Sequence, residues 1–169
     1  MPLRLLPFKE SLADALFASL QDPALYEYID DSAPTDVVAY RTRCKKLEHT
    51  YSPDGKERWL NWAVEFEGQI VGYVQATVYD FATDQSRAAE FAFAIHSSVW
   101  GKSVAFEACT QMLVMLRAQF HISELWLTIL KTNSRSIRLA QRLGLNEVAS
   151  SRYPYTNYAE GDVVMFGKI

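Results

Sequence analysis

Trp100 Gly101 Lys102 Ser103 Val104 Ala105 Phe106 Glu107 Ala108, with Asn133 Ser134 Arg135 Ser136 about thirty residues further on, is the stretch on which the fold turns. A strand-like run, Glu90 to Ile95, leads into it. A helix leads out, since Ala105, Cys109, Met112, Leu113, Leu116 and Phe120 recur at spacings of three and four over Lys102 to Phe120. A polar loop between strand and helix is a natural anion cradle, because the first amides of a helix lack intrahelical partners and sit at the positive end of its dipole. Gly101, Ser103, Val104 and Ala105 supply the backbone donors there, and Lys102 adds a positive charge. The plainer alternative is a strand-to-helix turn with Ser103 as N-cap.

Working outward, Leu3 to Phe8 reads as a strand, and Lys9 to Leu20 as a helix with Leu12, Leu16 and Leu20 on one face. Asp22 Pro23 breaks it. Thr35 to Tyr51 reads as a second helix with Thr35 as N-cap, and Ser52 Pro53 Asp54 Gly55 as a turn. Strands follow at Asn61 to Phe66 and Gln69 to Tyr79, joined by the hairpin signal Glu67 Gly68. A polar connection from Asp80 to Arg87 precedes a strand over Ala88 to His96. Its alternation puts Glu90, Ala92 and Ala94 on one face and Phe91, Phe93 and Ile95 on the other.

Leu125 to Leu130 reads as a short strand and Asn133 to Leu143 as a helix, capped by Asn133 and stopped by Gly144. Asn146 to Tyr153 and Val163 to Lys168 read as a closing pair of strands. The predicted class is α+β: a mixed, mostly antiparallel twisted sheet of about six or seven strands with a central parallel pair, flanked by about four helices. The crossover of that parallel pair is expected to be right-handed. One domain spans 1–169.

With 169 residues, 49% hydrophobic and 13% aromatic, the chain is long enough to bury a core unaided. A net charge of -3 gives no general electrostatic reason to bind nucleic acid or an anionic membrane. Cys44 and Cys109 form no CxxC pair, and His49, His96 and His121 lack metal-ligand spacing, so no metal is expected. The N-terminus is broken by Pro2 and Pro7 and no window approaches a membrane span, so the protein is expected to be cytoplasmic.

The order of elements, the loop Gly101 to Ala105 with Glu107 Ala108 behind it, Asn133 and Ser136 running to Leu143 Gly144 Leu145, Ala89 Glu90 before the loop and the closing Glu160 Gly161 Asp162 Val163 Val164 Met165 Phe166 together resemble the GNAT superfamily of acetyl-CoA-dependent N-acetyltransferases. Within it the chain most resembles the RimJ and RimL branch, which acetylates ribosomal protein N-termini. The resemblance implies that acetyl-CoA is held by Phe93, Ile95, Trp100, Gly101, Lys102, Ser103, Val104, Ala105, Asn133 and Ser136. Two positions depart from the family pattern: Trp100 stands where Gln or Arg is usual, and Ser103 where a central Gly is usual. A serine there costs little while its backbone angles stay negative.

The family's tyrosine acid, seven residues after the asparagine, is here Ala140, so the resemblance shifts the thiolate-acid role to Ser136. It also implies Glu90 as the base, direct or through water, and backbone amides near Ala92 to Ile95 as oxyanion donors. The acceptor amine is expected among Tyr26, Tyr28, Trp59, Trp62, Tyr153, Tyr155 and Tyr158 with Glu27, Asp30 and Asp31. It is either a protein or peptide N-terminus or a small amine. Two other readings stand beside this one: a catalytically silent coenzyme A or peptide sensor, and a homodimeric component resting on the aromatic-rich surface.

Overall fold

The computed structural model describes residues 3–29, 31–80, 87–155 and 158–169; Met1, Pro2, Asp30 and most of the expected polar connection after Asp80 lie outside them. Seven strands, β1 (Arg4–Pro7), β2 (Glu57–Phe66), β3 (Gln69–Asp80), β4 (Arg87–Ile95), β5 (Glu124–Leu130), β6 (Asn146–Val148) and β7 (Asp162–Lys168), form one sheet in the order β1-β2-β3-β4-β5-β7-β6. Every neighbouring pair is antiparallel except β4 and β5. Among the described residues four α-helices accompany them: α1 (Ala13–Ser19), α2 (Val37–Leu47), α3 (Val104–Phe120) and α4 (Ser134–Arg142). The mixed α+β plan with its parallel pair is as the sequence predicts.

The sheet is covered on both faces. Ala89, Phe91 and Ile95 of β4 join Val104, Ala108, Met112 and Leu116 of α3 and Ala140 of α4 in the larger core. On the other face Ala63 of β2 meets Phe8, Leu16, Leu20, Tyr40 and Cys44, with Ala94 at the edge of that cluster. A third group, Ala88, Trp126, Tyr153 and Val164, continues this second face past β5. Full burial of each large aliphatic side chain is worth about 1.5–3 kcal/mol, so α3, which buries Val104, Met112 and Leu116, is held by its stripe. Burial also pushes the Cys44 thiol up to about 11 and the Cys109 thiol up to about 12, which keeps both unreactive.

Several boundaries move, each for a local reason. The first helix splits into a 3-10 turn, Glu10–Leu12, and α1. The N-cap of α2 is Asp36 rather than Thr35, because its carboxylate accepts from the amides of Val38 (2.8 Å) and Ala39 (3.2 Å). That helix ends at Leu47, not Tyr51, since Thr50 and Ser52 turn to pair with the start of β2, the Thr50 carbonyl accepting from the Trp59 amide at 2.8 Å. β2 accordingly begins at Glu57 instead of Asn61. β6 stops at Val148, and a 3-10 turn, Ser150–Arg152, then swings Tyr153 over the sheet face onto Trp126, edge to ring at 6.0 Å.

The Glu67 Gly68 hairpin is as expected, with φ of 52° and 79° at the two turn residues. So is the end of α4: Gly144 has φ 90°, its amide donates to the Gln141 carbonyl, and the Leu145 amide donates to the Ala140 carbonyl, the paired bonds of a Schellman stop.

Candidate active site

β4 and β5 pair only at Ala88, Ala89 and Glu90, against Glu124, Leu125 and Trp126. Beyond Glu90 the two strands part. The His96 amide donates to the Val71 carbonyl on β3, whereas the Arg87 carbonyl accepts from Ser123 on the β5 side. Alternation between these points turns the amides of Phe93 and Ile95 into the gap. A cavity of about 920 Å³ opens there, lined by Ala92 to Ile95 of β4, Leu127 to Leu130 of β5, the loop before α3 and the first turns of α3 and α4.

The loop before α3 is more strained than the sequence suggests. Gly101 has φ 78°, and Ser103, where a serine costs little only while its backbone angles stay negative, has φ 62°. It occupies the N-cap place of α3 without a side-chain capping bond. The left-handed setting costs a non-glycine residue about 1–2 kcal/mol. Ser103 accepts this to point the start of α3 at the cavity, which Gly101, Ser103, Val104 and Ala105 all line; Lys102 does not. Ser103→Gly is therefore expected to raise stability by up to about 1 kcal/mol after the glycine's own entropy, or roughly 2–4 °C in Tm. Thermal unfolding checks this, and a lower Tm would contradict the strain.

Trp100 lines the cavity. Its indole Nε1 donates to the Ile95 carbonyl at 2.7 Å, and the Arg135 guanidinium lies over its ring at 3.7 Å from the centroid. Arg142 lies over Phe106 at 4.2 Å. These two stacks hold the α4 face of the cavity against the α3 loop, each a cation–π contact worth about 0.5–2 kcal/mol.

Asn133 caps α4: its Oδ1 accepts from the Ser136 amide at 3.1 Å. That bond fixes Ser136, half-buried, in the first turn beside the cavity, and both residues line it. Ala140, by contrast, is completely buried in the core, so the position of the family tyrosine has no room for a ring.

Glu90 lies on the second face of the sheet, as its alternation predicts, but is not among the cavity's lining residues. The Tyr153 hydroxyl donates to its Oε1. Burial first, and then this bond, raises the Tyr153 phenol far above the ordinary range. Burial likewise raises Tyr155, and pushes Tyr79 up to about 12; the rings of Tyr79 and Tyr155 stack at 4.1 Å. These three rings make a protonated aromatic block behind the gap.

The expected acceptor side is only partly assembled. Glu27 and Tyr28 line the cavity. Tyr26 instead donates to the Leu20 carbonyl at 2.9 Å, Trp59 to the Glu57 carboxylate at 2.8 Å, and Trp62 is buried in the α3 core. Asp30 lies outside the described residues. A buried carboxylate that sequence reasoning passed over, Asp22, ties this wall to the 3-10 turn after β4 by accepting from the amides of Ala24 (3.0 Å) and Ser97 (2.6 Å). Burial works to raise the Asp22 carboxyl, but the bonds from Ser97 and Ala24 outweigh it and hold it below the usual range. Asp162, quoted in the closing motif but given no site role from the sequence, begins β7 and lines the cavity beside Thr128 and Leu130. Its signal is its place two residues before Val164 on one face of a strand just after Gly161.

Among the described residues no group of three or more His, Cys, Asp or Glu is placed to hold a metal ion, and no helix is long and apolar enough to cross a membrane. No curated protein matches the chain. Solved structures share its fold: a RimL ribosomal-protein alpha-N-acetyltransferase in complex with coenzyme A, 17% identical, TM-score 0.78, covering 99% of this chain and 94% of that one; an aminoglycoside acetyltransferase in complex with coenzyme A, 14% identical, TM-score 0.74, covering 99% and 95%; and an acetyltransferase from Thermus thermophilus, 15% identical, TM-score 0.72, covering 100% and 98%. The model of the acetyltransferase (GNAT) domain matches residues 2–146, the span that holds the parted strands, the loop before α3 and the first turn of α4, and this chain belongs to the GNAT acetyltransferase family.

Proposed function

We propose that the protein is an acetyl-CoA-dependent N-acetyltransferase that moves an acetyl group to a primary amine by direct attack in a ternary complex. The observation that carries this is the parting of β4 from β5 after Glu90, which aims the Phe93 and Ile95 amides into a cavity bordered by the N-termini of two helices. These features fit acetyl-CoA. Parted strands offer amides to an extended amide-bearing arm, and the loop before α3 offers donors to a diphosphate.

Bound acetyl-CoA supplies the acyl group as a thioester. The chain's residues do the rest. Gly101, Ser103, Val104 and Ala105 bind phosphate through backbone N–H groups, Trp100 frames the entrance, and Lys102 contributes charge from outside. The Phe93 and Ile95 amides face the charge that develops on the carbonyl oxygen, the arrangement that supplies much of the rate in acyl transfer. Asn133 positions Ser136, whose hydroxyl protonates the departing sulfur. Glu90 secures Tyr153 and the aromatic wall behind the reacting atoms. Two neighbours in complex with coenzyme A, one named for a protein alpha-amine and one for an aminoglycoside, support an amine as the acceptor. Glu27, Glu160 and Asp162 line the cavity and are acids suited to a cationic amine.

The test is free-thiol release over a panel of small amines and N-terminal peptides, alongside thermal unfolding with acetyl-CoA. At 100 times its Kd the ligand is expected to add about 2.7 kcal/mol, roughly 5–10 °C in Tm. The second reading, a silent coenzyme A-binding module, is favoured by the buried Ala140 and predicts the thermal shift without thiol release. No shift at millimolar acetyl-CoA overturns both.

A further inference from the structure

The Glu90 carboxylate accepts from the Tyr153 hydroxyl and is not among the described residues that line the cavity, so a base standing in the cavity itself must be another group. A usable acceptor must line the cavity, stand on the acceptor face of the sheet, and be partly shielded from water. One carboxylate combines these properties. Asp162 pairs with Leu130 at the end of β5, one strand across from the gap. Val163 and Met165 of β7 pack into the core under α3, whereas Val164 and Phe166 pack with Trp126 and Tyr153 on the opposite face. Alternation therefore sets Asp162 on the same face as Glu90, but two strands along and at the open end, where it lines the cavity.

Its backbone is anchored on both sides. The Asp162 amide donates to the Ala159 carbonyl at 3.2 Å, and the Tyr158 hydroxyl donates to the Asp162 carbonyl at 3.1 Å. Asp162 is half-buried, and this burial alone raises its carboxyl above the ordinary aspartate value. The charged and titratable groups sharing the cavity wall are Glu27, Tyr28 and Glu160 on the acceptor side and Arg135, Arg138 and Arg142 along α4. Glu27 and Glu160 are exposed, whereas Asp162 is half-buried.

Resting on the acetyltransferase reading above, we propose that Asp162 is the catalytic base that takes the proton from the acceptor ammonium. The Asp162 carboxylate removes one proton from the ammonium, leaving a neutral amine with its lone pair free. As the nitrogen–carbon bond forms and the carbon–sulfur bond breaks, Ser136 gives its hydroxyl proton to sulfur and regains the second amine proton. Asp162 then returns its proton to solvent through the cavity mouth. The net products are an amide, a free thiol and one released proton.

The experiment compares wild type, Asp162→Asn and Glu90→Gln by thiol release against pH, with acetyl-CoA affinity measured in parallel. Two acceptors are used: an ordinary primary amine and a weakly basic one, such as an aminonitrile, that is already neutral at pH 7. Asp162→Asn is expected to lose at least about 10²-fold in kcat with the ordinary amine, to lose the acidic limb of the pH profile, and to keep acetyl-CoA affinity. Its deficit is expected to shrink at least tenfold with the weakly basic amine, which a merely structural defect would not do. An equal deficit with both amines, or an acidic limb removed by Glu90→Gln and kept in Asp162→Asn, overturns the assignment of the base and leaves the acetyltransferase reading standing. Acetyl-CoA binding without turnover in the wild type overturns that reading, and the base with it.

Discussion

Ser136→Ala is expected to slow thiol release by about 10²- to 10⁴-fold while acetyl-CoA affinity stays within about threefold, because in the proposed mechanism the hydroxyl acts on the departing sulfur and not on the bound ground state. The site leaves few other donors for that proton. Ala140 carries no hydroxyl and is sealed in the core. Tyr79, Tyr153 and Tyr155 have phenols raised by burial, so they hold their protons too tightly to serve a thiolate, and none lines the cavity. Ser136 sits in the first turn of α4, where the helix dipole stabilises a nearby negative charge, and its own amide is fixed by Asn133. The substitution keeps this cap, which uses the Ser136 backbone, so the fold is expected to be unaffected. Tyr28 is the phenol among the described lining residues, and it makes the discriminating control. A large loss in Tyr28→Phe with a silent Ser136→Ala would move the acid across the cavity.

What the sequence discloses here is whatever neighbours decide among themselves. The α4 stop needs only Gly144 and the five residues before it, and Asn133 needs only Ser136, so both are legible. The face of Glu90 is also legible, because strand alternation is local. Its occupation is not. Tyr153 reaches it from 63 positions away, by way of a turn that replaces the end of an expected strand. Asp162 is hidden for the same reason: it becomes part of the site only through the pairing of β7 with β5 at Leu130 and the parting of β5 from β4. Ser103 shows a different blindness. Hydrophobic periodicity announces the helix that follows, but carries no information on the sign of φ at the residue before it.

Gly72→Ala is expected to be the most damaging single-methyl change in the chain, costing about 3 kcal/mol or more, a fall of roughly 6–12 °C in Tm. Gly72 has φ 143°, and a Cβ built there would stand 2.0 Å from the Ala94 carbonyl oxygen and 2.9 Å from the Ile95 Cα. Both obstacles are backbone, so no rotamer change relieves them. The position also matters for function. Gly72 pairs with Ile95 at the last rung between β3 and β4, beside an irregularity at which Val71 is the extra residue opposite Val64 and Glu65. Relief requires β4 to move away from β3, toward the gap that the Phe93 and Ile95 amides face. Acetyl-CoA affinity is therefore expected to fall along with stability, even at temperatures where the variant is folded. Gly55→Ala separates the two causes: Gly55 has φ 73° but nothing within 4 Å of its Cβ, so it bears only the backbone strain, about 1–2 kcal/mol, and lies away from the cavity. Equal losses of stability in the two variants would show that the strand contact at Ala94 is not what Gly72 protects. A larger loss in Gly72→Ala, together with weakened acetyl-CoA binding, would tie the absent side chain at Gly72 to the Phe93 and Ile95 amides proposed to face the reacting carbonyl.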